Sequence, residues 1–140
     1  MPNKTHSSAS VLIIGASGRT GLNCLRQLSA HPSNPSIHAF VRDSHNLPPV
    51  DQSKCQTVTE GDARNSSDIE KALIHSRATD IIVSVGNGDK VGKCDIRSES
   101  AKALLHVLQK EEFHAVHVMI ISSSGAGGSQ IKVGLGLGSL

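Results

Sequence analysis

The apolar run Ser10-Val11-Leu12-Ile13-Ile14 ends on Gly15, and Gly18 and Gly21 follow it at intervals of three. A continuous β-branched run of this length suits a strand buried on both faces. A glycine at its end lets the chain leave in a conformation that a side chain would block. From Gly18 to about Ala30 the spacing turns helical, with Leu22, Leu25 and Leu28 on one face and Pro32 beyond as a stop. A buried strand, a tight glycine turn and a helix opening through that turn leave few architectures available to the chain.

The pattern then repeats. Ile37-His38-Ala39-Phe40-Val41 reads as a second strand, Leu47-Pro48-Pro49-Val50 as a loop and Cys55-Gln56-Thr57-Val58-Thr59 as a weaker third strand before Glu60-Gly61-Asp62. Ser67-Asp68-Ile69-Glu70 fits a capping box with Ser67 at the cap, opening a helix with Ile69, Ala72 and Leu73 inward. Asp80 to Gly86 reads as the fourth strand. The longest helix is expected from about Asp95 to Glu112, with Leu104, Leu105 and Leu108 as its stripe. Ala115 to Ile121 is a fifth strand closing in Ser122-Ser123-Ser124. Strand–helix repetition of this kind predicts an α/β domain, a Rossmann-type doubly wound parallel sheet of about five strands. Right-handed crossovers and one reversal give the order 3-2-1-4-5, an inference from fold regularity.

The expected organisation is a flexible tail over residues 1–9, one domain over 10–124, and a Gly-rich loop or tail over 125–140. A helix that normally covers the fifth strand is not evident, so the chain reads as cut short on its C-terminal side. At 140 residues there is room for one domain. Fourteen Lys and Arg against twelve Asp and Glu leave a formal charge of +2, and the basic residues are unclustered, which argues against a nucleic-acid partner. With two Phe and no Tyr or Trp, stacking platforms for single strands are also missing. No window approaches a membrane span, and the start lacks the apolar region of a secretory signal. Three scattered cysteines, Cys24, Cys55 and Cys94, make neither a disulfide framework nor a zinc pattern and suit a reducing, cytoplasmic setting. The eight histidines are dispersed. His114 and His117 fall on opposite faces of a strand, so no metal site is expected.

Gly15-Ala16-Ser17-Gly18-Arg19-Thr20-Gly21 carries the chemistry. In a strand–turn–helix context it is the arrangement that binds a dinucleotide's pyrophosphate. Gly18 allows close backbone approach, and Gly21 lets the helix sit close to the sheet. The helix N-terminus offers N–H groups and about half a positive charge. Ser17 and Thr20 add hydroxyls, and Arg19 can reach a phosphate. An acidic residue about 20 positions past the glycines selects NAD through the ribose 2′-OH. Arg42 stands there instead, a fork for the 2′-phosphate of NADP or else a solvated charge at a strand end; Asp43 beside it can take a ribose hydroxyl. Asp62 reads otherwise as a turn or cap residue. Ser123 or Ser124 can polarise a substrate carbonyl, or bond backbone or cofactor.

Taken together, Gly15 to Gly21, Val41-Arg42, Gly61-Asp62, Val85-Gly86 and Ser122-Ser123-Ser124 resemble the NmrA-like, atypical short-chain dehydrogenase/reductase family. They are also similar to its flavin reductase and biliverdin reductase B branch. The resemblance spans roughly Val11 to Gly125. It implies an NADP(H)-binding protein, NADPH being preferred over NADH, that reduces a planar acceptor such as a flavin or quinone. It also implies that Asp62 bonds the adenine amino group with Ala63 packed beside it. Val85, Gly86 and Asn87 would line the ribose and pyrophosphate, and Ser122, Ser123 and Ser124 would lie near the nicotinamide. The chain departs from the commoner dehydrogenases in having no tyrosine for a Tyr-x-x-x-Lys pair. NmrA-like proteins often lack that pair, and some bind NADPH without turnover. A sensor of a protein partner, or a truncated inactive form, therefore stands beside the oxidoreductase.

Overall fold

The computed structural model describes residues 8–86 and 95–121. Five parallel strands form one sheet in the order β3-β2-β1-β4-β5. The strands are β1 (Ser10–Ile14), β2 (Ser36–Val41), β3 (Thr57–Glu60), β4 (Asp80–Val83) and β5 (His117–Ile120). The helices are α1 (Arg19–Ser29), the short α2 (Pro49–Gln52), α3 (Ser66–Ser76) and α4 (Ile96–Leu108). The expected strand order is therefore the observed one. The chain reverses direction across the sheet between β3 and β4, so β1 lies between β2 and β4.

Strand alternation divides the core. Leu12 and Ile14 of β1 face α3 and α4, where they join Phe40, Ile69, Leu73, Ile81, Leu104 and Val107. Val11 and Ile13 face the other way, with Ile37, Ala39 and Val41 against Leu25 of α1 and the buried Leu47. Burial on both faces explains why β1 from Val11 to Ile14 is a continuous apolar run and why β2 is apolar from Ile37 to Val41 except at His38. At the far edge β5 pairs with β4 and is exposed along its length, Val118, Met119 and Ile120 included.

Several local expectations are corrected. The Leu47–Val50 loop contains the start of α2, with Pro49 in its first turn, where a missing N–H leaves no bond unmade. The cap of α3 is Asn65, not Ser67: the Asn65 side-chain oxygen accepts from the Ser67 and Asp68 N–H groups. Glu70 does not close a capping box; it pairs with Lys110 across the helix interface. In α4 the buried stripe is Ile96, Ser100, Ala103, Leu104 and Val107, and Leu105 points to solvent. That helix ends at Leu108, and a 3-10 turn over Glu111–Phe113 replaces its expected last turn. No helix among the described residues is long and apolar enough to cross a membrane.

Candidate functional site

The glycine turn sits where β1 ends, between the ends of β2 and β4. The Gly15 N–H donates to the Phe40 carbonyl at 3.0 Å on one side, and the Ser84 N–H donates to the Ile14 carbonyl at 2.8 Å on the other. Gly15 has φ +88°, and a Cβ there would stand 2.3 Å from the Ser84 carbonyl oxygen. A Cβ on Gly21 would stand 2.1 Å from the Gly15 carbonyl oxygen, so glycine at 21 is what seats α1 on the turn. Gly18 differs. Its backbone is extended (φ −72°, ψ 163°), and its nearest neighbour to a built Cβ is 3.4 Å away, ordinary contact. Neither its backbone conformation nor packing among the described residues asks for glycine at 18.

Gly18 is the N-cap of α1 and has no side chain to turn back on the first-turn N–H groups. Position 18 is exposed, as are Arg19 and Thr20, while Ser17 is half-buried and Ala16 fully buried. The surface at the start of α1 is therefore backbone, hydroxyl and cation.

On the β2 side, Arg42 is exposed and makes no hydrogen bond or ion pair among the described residues. The backbone after it is tied down. Asp43 caps the turn Ser44–Asn46, and its Oδ1 accepts from the His45 N–H at 2.9 Å and meets His45 Nδ1 at 2.8 Å. The Ser44 N–H donates to Glu60 Oε1, at the end of β3, at 2.8 Å. The bond from the His45 N–H holds the Asp43 carboxyl below its ordinary range, and the bond to Asp43 raises the His45 imidazole. Ligand atoms of Asp43, His45 and Glu60 lie within 4.8 Å of one another, a grouping of exposed residues that spacing along the chain did not reveal. Asp43 is thus already engaged by its own loop.

At the end of β3, Gly61 lies against the Phe40 ring and Asp68, each 2.9 Å from where a Cβ would be. Asp62 follows, half-buried. Its Oδ1 accepts from the Arg64 N–H at 2.9 Å and from Arg64 Nε at 3.2 Å, and Arg64 Nη1 reaches Asp95 Oδ1 at 3.4 Å. These bonds, the backbone one foremost and the nearby Arg42 charge last, hold the Asp62 carboxyl below the usual range. Asp62 is therefore an ionised acceptor of fixed direction. Ala63 beside it is buried.

On the β4 side, Val85 packs its Cγ1 3.2 Å from the Cβ position of Gly15, and Gly86 is exposed. Sequence reasoning passed over Arg97, in the first turn of α4, which lies over this strand end with Nε 3.4 Å from the Val85 carbonyl oxygen. Residues Gly15 to Gly21, Arg42, Asp62, Ala63, Val85 and Gly86 thus gather at the C-terminal ends of parallel strands. This is where open α/β sheets bind ligands, beside a topological switch point. Asn87, Ser122, Ser123, Ser124 and Cys94 lie outside the described residues.

Such a turn at such a place defines a dinucleotide-binding α/β domain. The comparison with known families agrees. The model of the NAD(P)H-binding family matches residues 15–135, and the chain belongs to that family. Among solved structures, a wide-type short-chain dehydrogenase/reductase from Veillonella parvula in complex with NADP superposes with TM-score 0.61 at 20% identity, over 84% of this chain and 48% of that one. A short-chain dehydrogenase/reductase from Saccharomyces cerevisiae superposes with TM-score 0.69 at 15% identity, over 86% and 55%. A dTDP-glucose 4,6-dehydratase from Bacillus anthracis in complex with NAD does so with TM-score 0.68 at 15% identity, over 91% and 41%. These likenesses establish the fold. The chain spans between 41% and 55% of the length of these three.

Proposed function

We propose that the chain binds NADP(H), prefers it to NAD(H), and serves an NADPH-dependent oxidoreductase that reduces a planar acceptor such as a flavin or quinone. The observation that carries the reading is Gly18. Packing among the described residues accounts for Gly15 and Gly21 and gives no reason for glycine at 18. A group that must lie close against the start of α1 supplies one. The residues fit a diphosphate there: bare backbone at 18 with the hydroxyls of Ser17 and Thr20 beside it.

Arg42 suits a 2′-phosphate. Its fork of donors matches a phosphate monoester, and the Asp43–His45–Glu60 ties hold the backbone that follows it. A charge-assisted bond of this kind is worth about 1.5–3 kcal/mol, or roughly ten- to a hundred-fold in affinity. Asp62, pinned by Arg64, suits an adenine amino group, with Ala63 as a small apolar floor. Val85 and Gly86 suit the ribose side.

When bound, the reduced cofactor supplies the hydride. The part left to this chain is to orient it and to exclude water above the sheet. Transfer to a planar acceptor asks for little acid–base chemistry, which accords with a sequence that contains no tyrosine. The second reading is a non-catalytic NADPH sensor of a protein partner, which asks for cofactor binding without hydride transfer.

Loss of NADPH absorbance by the purified chain with a flavin or quinone acceptor separates the two. The oxidoreductase reading expects turnover that saturates with acceptor. Tight NADPH binding with no turnover across a panel of acceptors would replace it with the sensor.

A further inference from the structure

Four arginines stand around the C-terminal rim of the sheet, and their surroundings differ. Arg19 opens α1. Arg64 is held between two carboxylates, Asp62 and Asp95. Arg42 and Arg97 have no carboxylate within ion-pair distance among the described residues. Arg42 is accounted for above. Arg97 is exposed, and the only hydrogen bond of its side chain among the described residues runs from Nε to the Val85 carbonyl at 3.4 Å. That contact orients the guanidinium and leaves its two terminal nitrogens without a protein partner there. Gly86 gives the guanidinium room. A Cβ at 86 would stand 3.2 Å from Arg97 Nη2 and 3.5 Å from Nε.

The position is specific. Val85, which Arg97 holds by its carbonyl, packs its side chain against the Gly15 turn. In the order β2-β1-β4, neighbouring strands lie about 4.8 Å apart, so the ends of β2 and β4 flank the turn at one strand spacing each. Arg42 stands at the β2 end and Arg97 over the β4 end, with the start of α1 between them. A cation with no carboxylate partner among the described residues, held over a strand end beside the glycine turn, is arranged for an anion.

We infer that Arg97 is a second cationic ligand of the cofactor's diphosphate, closing on it from the β4 side opposite α1. The inference rests on the cofactor reading above and extends it to a residue on a different helix. Arg97 reads the part that both coenzymes share, whereas Arg42 reads the part that distinguishes them. Its removal therefore weakens both coenzymes alike.

Titration calorimetry with four ligands tests this on the wild type, Arg97→Gln and Arg97→Lys. The ligands are NADPH, NADH, ADP-ribose, which keeps the diphosphate, and adenosine 2′-monophosphate, which lacks it. Arg97→Gln is expected to raise the dissociation constants of NADPH, NADH and ADP-ribose together by about ten-fold. It should preserve the NADPH-to-NADH ratio and move adenosine 2′-monophosphate by no more than about two-fold. Arg97→Lys should recover part of the loss, because a point charge remains without the fork. Unchanged coenzyme affinity in Arg97→Gln overturns the inference, as does a loss confined to NADPH, or an equal loss for adenosine 2′-monophosphate. A wild type that binds neither coenzyme is a different failure, that of the cofactor reading itself. Arg97 is exposed, and matching thermal melts of the variants establish that they are folded.

Discussion

Gly15 and Gly18 are three residues apart and are glycine for different reasons. At Gly15 the backbone has φ +88° and a Cβ would meet the Ser84 carbonyl. Gly15→Ala is expected to destabilise the fold by about 1–3 kcal/mol from conformation alone, with the clash in addition. Gly18→Ala places its methyl at ordinary contact distance. It should change stability by less than about 1 kcal/mol, the difference between glycine and alanine at an N-cap. The two variants therefore separate folding from binding: thermal melts should fall for Gly15→Ala, and coenzyme affinity should fall for Gly18→Ala with its melt near wild type. An alanine at 18 that binds NADPH as well as wild type would remove the ligand-facing reason for that glycine. Arg42→Asp makes a matching prediction for selectivity. It should erase most of any NADPH preference in paired titrations with NADH, and an unchanged ratio would show that Arg42 is not the 2′-phosphate anchor. The place of the glycine turn between β1 and α1 and that of Arg42 just after β2 were legible because each follows from local spacing. The Arg64 grip on Asp62 and the pose of Arg97 over Gly86 were not, because each depends on where a distant helix returns to the sheet.

Elements were legible where one force dominates. β1 and β2 are buried on both faces, so their composition announces them. Boundaries and caps were less legible, because adjacent residues compete for one role. Asn65, Ser66 and Ser67 are all good capping residues, and Asn65 holds the position because its side-chain oxygen reaches the N–H groups of 67 and 68. Asn65→Ala should therefore cost about 1 kcal/mol in denaturant unfolding, while Ser67→Ala stays within about 0.5 kcal/mol. The reverse ranking would restore the Ser67 cap. In α4 the leucines suggested a stripe that packing does not use. Ser100 and Ala103 are buried there and Leu105 is not, since a helix that sits close to its neighbours turns its small residues inward. The turn at Pro49 was hidden for another reason, as proline reads as a breaker until its place in a first helical turn is known.

The molecule as a whole is a sheet with two unlike faces, and among the described residues two titratable groups are buried, His38 in the sheet and Asp51 in α2. His38 of β2 is 4% exposed, its Nδ1 2.7 Å from Thr57 Oγ1, and burial lowers its pKa. As pH falls through about 6.5, the unfolded chain takes up this proton before the folded one does. The contribution of His38 to stability is thus whole above about pH 6.5 and erodes as pH falls toward the folded value. Urea unfolding of the wild type across that window should show the loss, and His38→Gln should flatten it. A loss of the same size in the variant would assign it to other groups. Asp51 follows the acid rule in a lower window. Its bond to Arg26 lowers its pKa, so what it contributes is lost below the ordinary carboxylate range.

Layering followed from the alternation of strands and helices and strand order from fold regularity, and the family match bears on the same segment that the glycine turn opens. We propose that the glycine turn at the end of β1 holds the diphosphate of a phosphorylated pyridine dinucleotide. Calorimetric titration of the folded chain with NADPH and with NADH addresses this most directly. The account predicts saturable binding of both, tighter for NADPH. A cooperatively melting sample that gives no binding heat with either coenzyme at several temperatures would contradict it.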